Sequence, residues 1–172
     1  MEEYIKSAVE SFETLLREQI AREDRMKKGS GKKSFGNMDK ITIGVIGGDG
    51  IGPIIIDAAE RLMRRLLTDE LSGGRVEIKR INGLTLENRM ALGKSVPDDV
   101  LSEIKSCDVL LKGPTTTPKG GTMESANVTL RRELDLFANV RPVEVPEEGI
   151  DWIFFRENTE GAYAVGSKGI NI

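Results

Sequence analysis

Three arginines define the chemistry to look for. Arg131, Arg141 and Arg156 each stand beside apolar residues in a stretch that opens KGPTTTPKGG at Lys112, continues SANVTLRRELDLFANVRP and closes DWIFFRENTEGAY at Tyr163. A guanidinium presents a planar fork of donors that matches carboxylate or phosphate, and each charge-assisted bond contributes about 1.5–3 kcal/mol. Arg156 ends an apolar run. A buried arginine without a partner is strongly destabilising, so Arg156 either pairs with an acid such as Glu157 or faces a cleft that receives an anion. The stretch reads as a pocket for a small polyanion.

Other polar residues gather around these arginines. Lys112 and the hydroxyls of Thr115, Thr116 and Thr117 follow a short apolar run, and Ser125 and Asn127 precede Arg131. Asn127 and Arg131 are four residues apart and share one helix face, while Ser125 lies near the helix start, where backbone amides favour an anion. The same letters also fit a polar turn before Pro118 and a capping Ser or Asn beside a surface Arg. Tyr163 fits a general acid or an amphipathic edge residue. The chain contains no histidine. Acid–base work therefore falls to Tyr, Lys or carboxylates, and a bound metal would be a hard ion held by oxygen, such as Mg²⁺ or Mn²⁺.

Positioning these groups requires a sheet with helices. Residues 41–46 form a short β-branched run, GGDGIGP follows, and residues 54–67 place Ile55, Ala58, Ala59, Leu62, Met63 and Leu66 at helical spacing. Residues 76–81 read as a strand, 97–105 as a helix with Pro97 at its first turn, and 108–111 as a buried strand. The pattern implies an α/β architecture with a largely parallel sheet, which sets Lys112 and the threonines at the carboxyl end of that sheet, where ligands of open α/β sheets bind. Residues 122–134 return to helical spacing. Residues 137–145 and 152–155 read as strands, the second apolar on both faces and so expected inside a sheet.

In GGDGIG, the glycines Gly48, Gly50 and Gly52 could admit phosphate to a helix start or could simply make a tight turn. It is not a Rossmann fingerprint, because GxGxxG would need glycine where Pro53 stands, and GxxxxGK[ST] is absent. Ahead of this domain, residues 3–26 carry Ile5, Ala8, Val9, Phe12, Leu15, Leu16 and Ile20 at three- and four-residue spacing, an amphipathic helix. Residues 27–40, rich in Lys and Gly, read as a linker, so the main domain spans 41–172.

The bulk figures exclude some classes. A chain of 172 residues with 38% hydrophobic and 31% charged residues suits a soluble globular protein, and a net charge of −3 with pI near 5.3 argues against a general nucleic-acid binder. The single Cys107 forms no internal disulfide, no apolar run nears the roughly 20 residues of a membrane span, and the N-terminus is too acidic for a secretory signal. The expectation is a cytoplasmic protein without membrane or nucleic-acid partners.

In this order and with these gaps, GGDGIGP, KGPTTTP, SANVTLR, LDLFANVRP and FFRENTEGAY resemble the isocitrate and isopropylmalate dehydrogenase family. The resemblance covers residues 41–172 and implies that family's own α/β fold rather than a Rossmann domain. It implies an NAD- or NADP-dependent oxidative decarboxylase of 2-hydroxy acids, assisted by Mg²⁺ or Mn²⁺ and acting as a homodimer. By position, Arg131, Arg141 and Arg156 match the arginines that grip substrate carboxylates, and Tyr163 matches the tyrosine that protonates the enol left after CO₂ departs. Lys112 and Thr117 match positions near the substrate, while Ile51 and Thr116 match cofactor-contacting positions. Ser125 and Asn127 form the SxN pattern of the isocitrate enzymes, which favours isocitrate over isopropylmalate or homoisocitrate. Family enzymes are longer, with metal-binding aspartates and a catalytic lysine expected downstream of Ile172. The expectation is an N-terminal fragment, inactive alone, with a non-catalytic substrate-binding or regulatory subunit as the alternative.

Overall fold

A computed structural model describes residues 2–28, 34–120, 123–159 and 161. The chain divides into two compact units, one spanning residues 35–159 and one that includes residues 1–34. Within the latter, α1 (Glu2–Lys28) is a single helix with Glu2 and Glu3 in its first turn and Arg25, Lys27 and Lys28 in its last, the polarity that complements a helix dipole. It continues two residues into the stretch read as linker, and a single helical turn forms at Phe35–Asn37.

The larger unit is built on a parallel sheet. β1 (Ile41–Ile46) lies between β2 (Val76–Arg80) and β3 (Val109–Lys112), in the order β2-β1-β3. Ile41 stands opposite Val76, and Ile46 opposite Lys112. Hydrophobic clusters flank both faces, as continuous apolar strands require. On one side Ile43, Val45 and Val76 pack with Ile56 of α2 (Gly52–Leu66) and with Leu71 of the short α3 (Thr68–Ser72). On the other, Ile46 joins Val100 and Ile104 of α5 (Asp98–Lys105) and Leu130 of α6 (Ala126–Glu133).

Two helices were not legible as such. α3 prolongs α2 after a break at Leu67, and α4 (Leu86–Leu92) starts at an N-cap Thr85 whose hydroxyl accepts from the Asn88 amide and stops at the left-handed Gly93. α6 is shorter than the 122–134 expected, because Ser125 already holds its N-cap position.

After α6, Asp135 adopts a left-handed φ of 50°, and the Leu136 amide donates back to the Arg131 carbonyl at 2.8 Å, a helix stop that redirects the chain into β4 (Ala138–Val145). β4 pairs antiparallel with β5 (Ile150–Glu157) through a turn containing Pro146–Glu148 and the left-handed Gly149. The expectation that residues 152–155 lie inside a sheet is corrected here. β5 has β4 as its one strand partner among the described residues, and Trp152, Ile153, Phe154 and Phe155 are all exposed. Apolar residues on both faces express a demand for burial, but a two-stranded ribbon has no layer above or below to meet it.

Candidate functional site

The sheet brings two loops together. β1 and β3 are neighbours with their carboxyl ends in register, so GGDGIG after β1 and KGPTTTP after β3 emerge side by side. The Gly113 amide donates to the Ile46 carbonyl at 2.9 Å, and the Asp49 amide to the Pro114 carbonyl at 2.8 Å. The glycines permit this contact. A Cβ on Gly48, where φ is +77°, would overlap the Pro114 carbonyl oxygen, and one on Gly52 or Gly113 would overlap the Gly47 carbonyl oxygen. Gly50, at φ +59°, faces open space. Three of the four positions thus serve loop packing, and Gly50 alone leaves uncovered backbone.

Beneath the loops lies an ion pair that motif spacing did not reveal. Arg89 of α4 is fully buried, and its Nη2 donates to Asp49 Oδ2 at 3.1 Å and to the Thr116 carbonyl at 2.6 Å. Asp49 also accepts from the Leu86 amide at 2.7 Å and the Thr116 amide at 2.8 Å. One carboxylate and one guanidinium therefore tie α4 to both loops. Arg89 Nε and Nη1 find no acceptor among the described residues. The available signal was an arginine in the apolar helix LENRMAL with no acid three or four residues away, opposite a lone carboxylate in a glycine loop.

Lys112 projects from the end of β3 into the same neighbourhood. Its Nζ donates to the Gly113 carbonyl at 2.7 Å and to Thr115 Oγ1 at 3.4 Å, and Thr115 Oγ1 donates in turn to Asn127 Oδ1 at 3.5 Å. Burial pushes the Lys112 ammonium below the ordinary lysine range; the charges of Arg89 and Arg131 add to this, and Asp49 opposes it. The groups around Lys112 are thus net positive, an environment that an added anion would relieve.

α6 carries the next residues. Ser125 holds the N-cap position with extended backbone, yet its hydroxyl makes no capping bond, so the capping explanation of this residue fails. Arg132 forms a bidentate pair with Glu124 at 3.0 and 2.8 Å, which anchors the helix. Its neighbour Arg131 is half-buried, has no side-chain acceptor among the described residues, and acts electrostatically on Lys112.

The hairpin supplies the other two arginines. Asn139 stands directly opposite Arg156 and Arg141 opposite Phe154, so Arg141 and Arg156 share one face of the ribbon as diagonal neighbours. Arg141 Nε donates to Asn139 Oδ1 at 3.3 Å. The structure thus forms two groupings, Lys112–Thr115–Asn127 with Arg131 and Arg89 nearby, and Asn139–Arg141–Arg156. Thr116 and Thr117 are exposed on the loop, and Ile51 is 68% exposed where α2 begins. Tyr163 lies outside the described residues.

One other opening, of about 420 Å³, is lined by Ile54, Asp57, Glu60, Arg61, Arg64 and Arg80. Its main charges are already paired: Arg80 binds both Asp57 and Glu60, and Arg64 also binds Glu60. Burial would raise the Glu60 carboxyl, but the bonds from Arg64 and Arg80 outweigh it and leave it below the usual carboxylate range. The groove is therefore self-satisfied and contains none of the candidate residues.

The parallel sheet thus sets two carboxyl-end loops side by side, and an arginine-bearing helix and an arginine-bearing hairpin follow them along the chain. A family model described as isocitrate/isopropylmalate dehydrogenase matches residues 42–172, and the chain belongs to that family. It is 40% identical over 134 residues to "Isocitrate dehydrogenase [NADP]" of Caldococcus noboribetus, covering 73% of this chain and 31% of the relative. It is 43% identical over 127 residues to the protein of the same name from Archaeoglobus fulgidus, covering 68% and 30%. Among solved structures, the apo β-decarboxylating dehydrogenase of Thermococcus kodakarensis superposes with a TM-score of 0.59 at 35% identity, covering 70% of this chain and 35% of that one. Isocitrate dehydrogenase of Methylococcus capsulatus gives 0.57 at 38% identity, covering 72% and 36%. The chain spans about a third of the length of these relatives.

Proposed function

We propose that this chain supplies the tricarboxylate-binding part of an NADP-dependent isocitrate dehydrogenase, and that the whole protein oxidatively decarboxylates isocitrate to 2-oxoglutarate. The observation that carries the reading is Arg131, half-buried, without an acceptor among the described residues and electrostatically coupled to the depressed Lys112, on a helix whose N-cap serine makes no side-chain capping bond. In this reading Arg131 and Lys112 hold one carboxylate, while Arg141 and Arg156 hold another from the hairpin face. Ser125, Asn127 and Thr117 direct donors toward the substituent that distinguishes isocitrate from isopropylmalate. A site built to hydrogen-bond a polar substituent rejects its apolar counterpart, because the donors are then left unpaired. Restraining each carboxylate at a different element fixes the reacting carbon in one orientation.

The residues present fit a dinucleotide at one place. Gly50 has open space over its backbone, α2 starts without a side-chain cap, and Ile51 offers an exposed apolar side chain there. Ile51 and Thr116 would hold NADP, which when bound supplies the hydride acceptor. Among the described residues no group of three carboxylate, thiol or imidazole side chains is placed to hold a metal, so no ligand of the divalent cation in this reading is assigned to them. Tyr163 is the proposed proton donor after CO₂ loss. We also propose a homodimer and a cytoplasmic setting; among the described residues no helix is long and apolar enough to cross a membrane.

Calorimetric titration of the chain with isocitrate and with isopropylmalate tests the substrate assignment. Isocitrate should bind more tightly, and Asn127→Leu should narrow or reverse the preference. Equal affinity for the two ligands, or a preference for isopropylmalate, would contradict it.

A further inference from the structure

Asp49 and Arg89 have no assigned part in the reaction, yet their bonds converge on one exposed residue. The Thr116 amide donates to Asp49 Oδ2 at 2.8 Å, and the Thr116 carbonyl accepts from Arg89 Nη2 at 2.6 Å. The same Nη2 donates to Asp49 Oδ2 at 3.1 Å, which closes a ring of three bonds around the backbone of Thr116. The peptide groups on either side of that residue are therefore held by the protein, although Thr116 is exposed on the loop. Asp49 is held in its turn. Its Oδ1 accepts from the amide of Leu86, the first residue of α4, and its own amide donates to the Pro114 carbonyl.

Stability alone is a poor account of this arrangement. Arg89 is fully buried, and its Nε and Nη1 find no acceptor among the described residues. Buried donors left unpaired are destabilising, and well-packed apolar side chains of similar volume often serve as well as a buried ion pair. The residues whose backbones the pair holds, Thr116 and Leu86, lie outside both apolar clusters. What the pair does join is the two places assigned to the cofactor. Gly50 and Ile51 follow Asp49 directly in sequence, and Thr116 is bonded to its carboxylate. Thr115, by contrast, is held separately, between Lys112 and Asn127. Asp49 thus links the glycine loop to Thr116, and Arg89 locks that link from α4.

We infer that Asp49 and Arg89 are positioning residues for the cofactor, which set Thr116 against Ile51 before NADP binds and so reduce the ordering that binding requires. The inference rests on the reading that NADP lies against Ile51 and Thr116. The ¹⁵N-labelled 172-residue chain is compared with Asp49→Ala and with Asp49→Leu/Arg89→Met, which removes the unpaired guanidinium and should regain part of the stability lost in Asp49→Ala. Without ligand, the Thr116 amide should exchange with solvent hydrogen about tenfold or more slowly in the unsubstituted chain than in either variant. Titration with NADP⁺, followed at the Ile51 and Thr116 amides, should show both variants with a dissociation constant raised about tenfold or more. A merely structural pair predicts instead that NADP⁺ affinity and Thr116 protection return in the double variant in step with its stability to urea, and that result overturns the inference. So does a Thr116 amide that exchanges as fast in the unsubstituted chain as in Asp49→Ala. NADP⁺ that moves neither amide in the unsubstituted chain overturns the cofactor reading itself, and the positioning role with it.

Discussion

At the scale of single residues, the buried Asp49–Arg89 pair and the crowded Lys112 carry most of the argument. Asp49→Ala strips the counter-charge from a fully buried guanidinium, and loss of one partner of a buried pair costs about 3–5 kcal/mol. Urea denaturation should show a loss of that size, whereas Arg89→Met with Asp49→Leu should recover only part of it, because the uncompensated guanidinium is gone but the Leu86 and Thr116 amides still lack the acceptor that Asp49 supplied. Lys112 behaves in the opposite sense. Its folded-state pKa is depressed below the ordinary value near 10.5, so the ammonium is a cost to folding wherever it is charged in both states. That cost falls away as pH rises through the depressed value toward 10.5. Thermal melts of the free chain should therefore show a stability increment on raising pH through this window that Lys112→Met lacks, and Lys112→Met should be the more stable protein at neutral pH.

At the scale of elements, the strands and long helices follow from the sequence with small shifts at their ends, because their periodicity is strong and their apolar faces meet in two clusters. α4 escaped because its seven residues give too little periodicity to separate from a turn, although Thr85 and Gly93 mark its ends by capping chemistry. The glycine loop was legible as a turn but not in its purpose, since the need for Gly48 arises from Pro114, 66 residues later in sequence. Gly48→Ala combines a positive φ with that overlap and should cost about 1–3 kcal/mol, more than Gly50→Ala, whose Cβ meets nothing. Denaturation midpoints of the two variants check the ordering. Among the site residues, the pairing of Arg141 with Arg156 on one ribbon face depends on hairpin register, which the intervening turn sets and which spacing alone does not reveal.

At the scale of the whole molecule, the hairpin is the place where pattern and surroundings disagree. The DWIFF run asks for burial on two faces, yet Trp152 is 57% exposed and meets Phe154 edge-on with ring centroids 5.9 Å apart. As the sole tryptophan of the chain, it reports on this directly. Its emission should resemble that of hydrated indole and be quenched readily by acrylamide, while blue-shifted, protected emission would mean that the ribbon is covered. The family likeness spans about a third of each relative, and within that span the parallel sheet sets Lys112 and the two loops, α6 carries Arg131, and the β4–β5 hairpin carries Arg141 and Arg156. The account stands or falls on whether those groups receive a tricarboxylate. Nuclear magnetic resonance titration of the ¹⁵N-labelled chain with isocitrate decides it most directly. The predicted result is saturable shifts centred on Lys112, Thr115, Asn127 and Arg131, with Arg141 and Arg156 following, and their loss in Arg131→Ala; shifts confined to the Asp57–Arg80 groove, or none at these residues, would contradict the account.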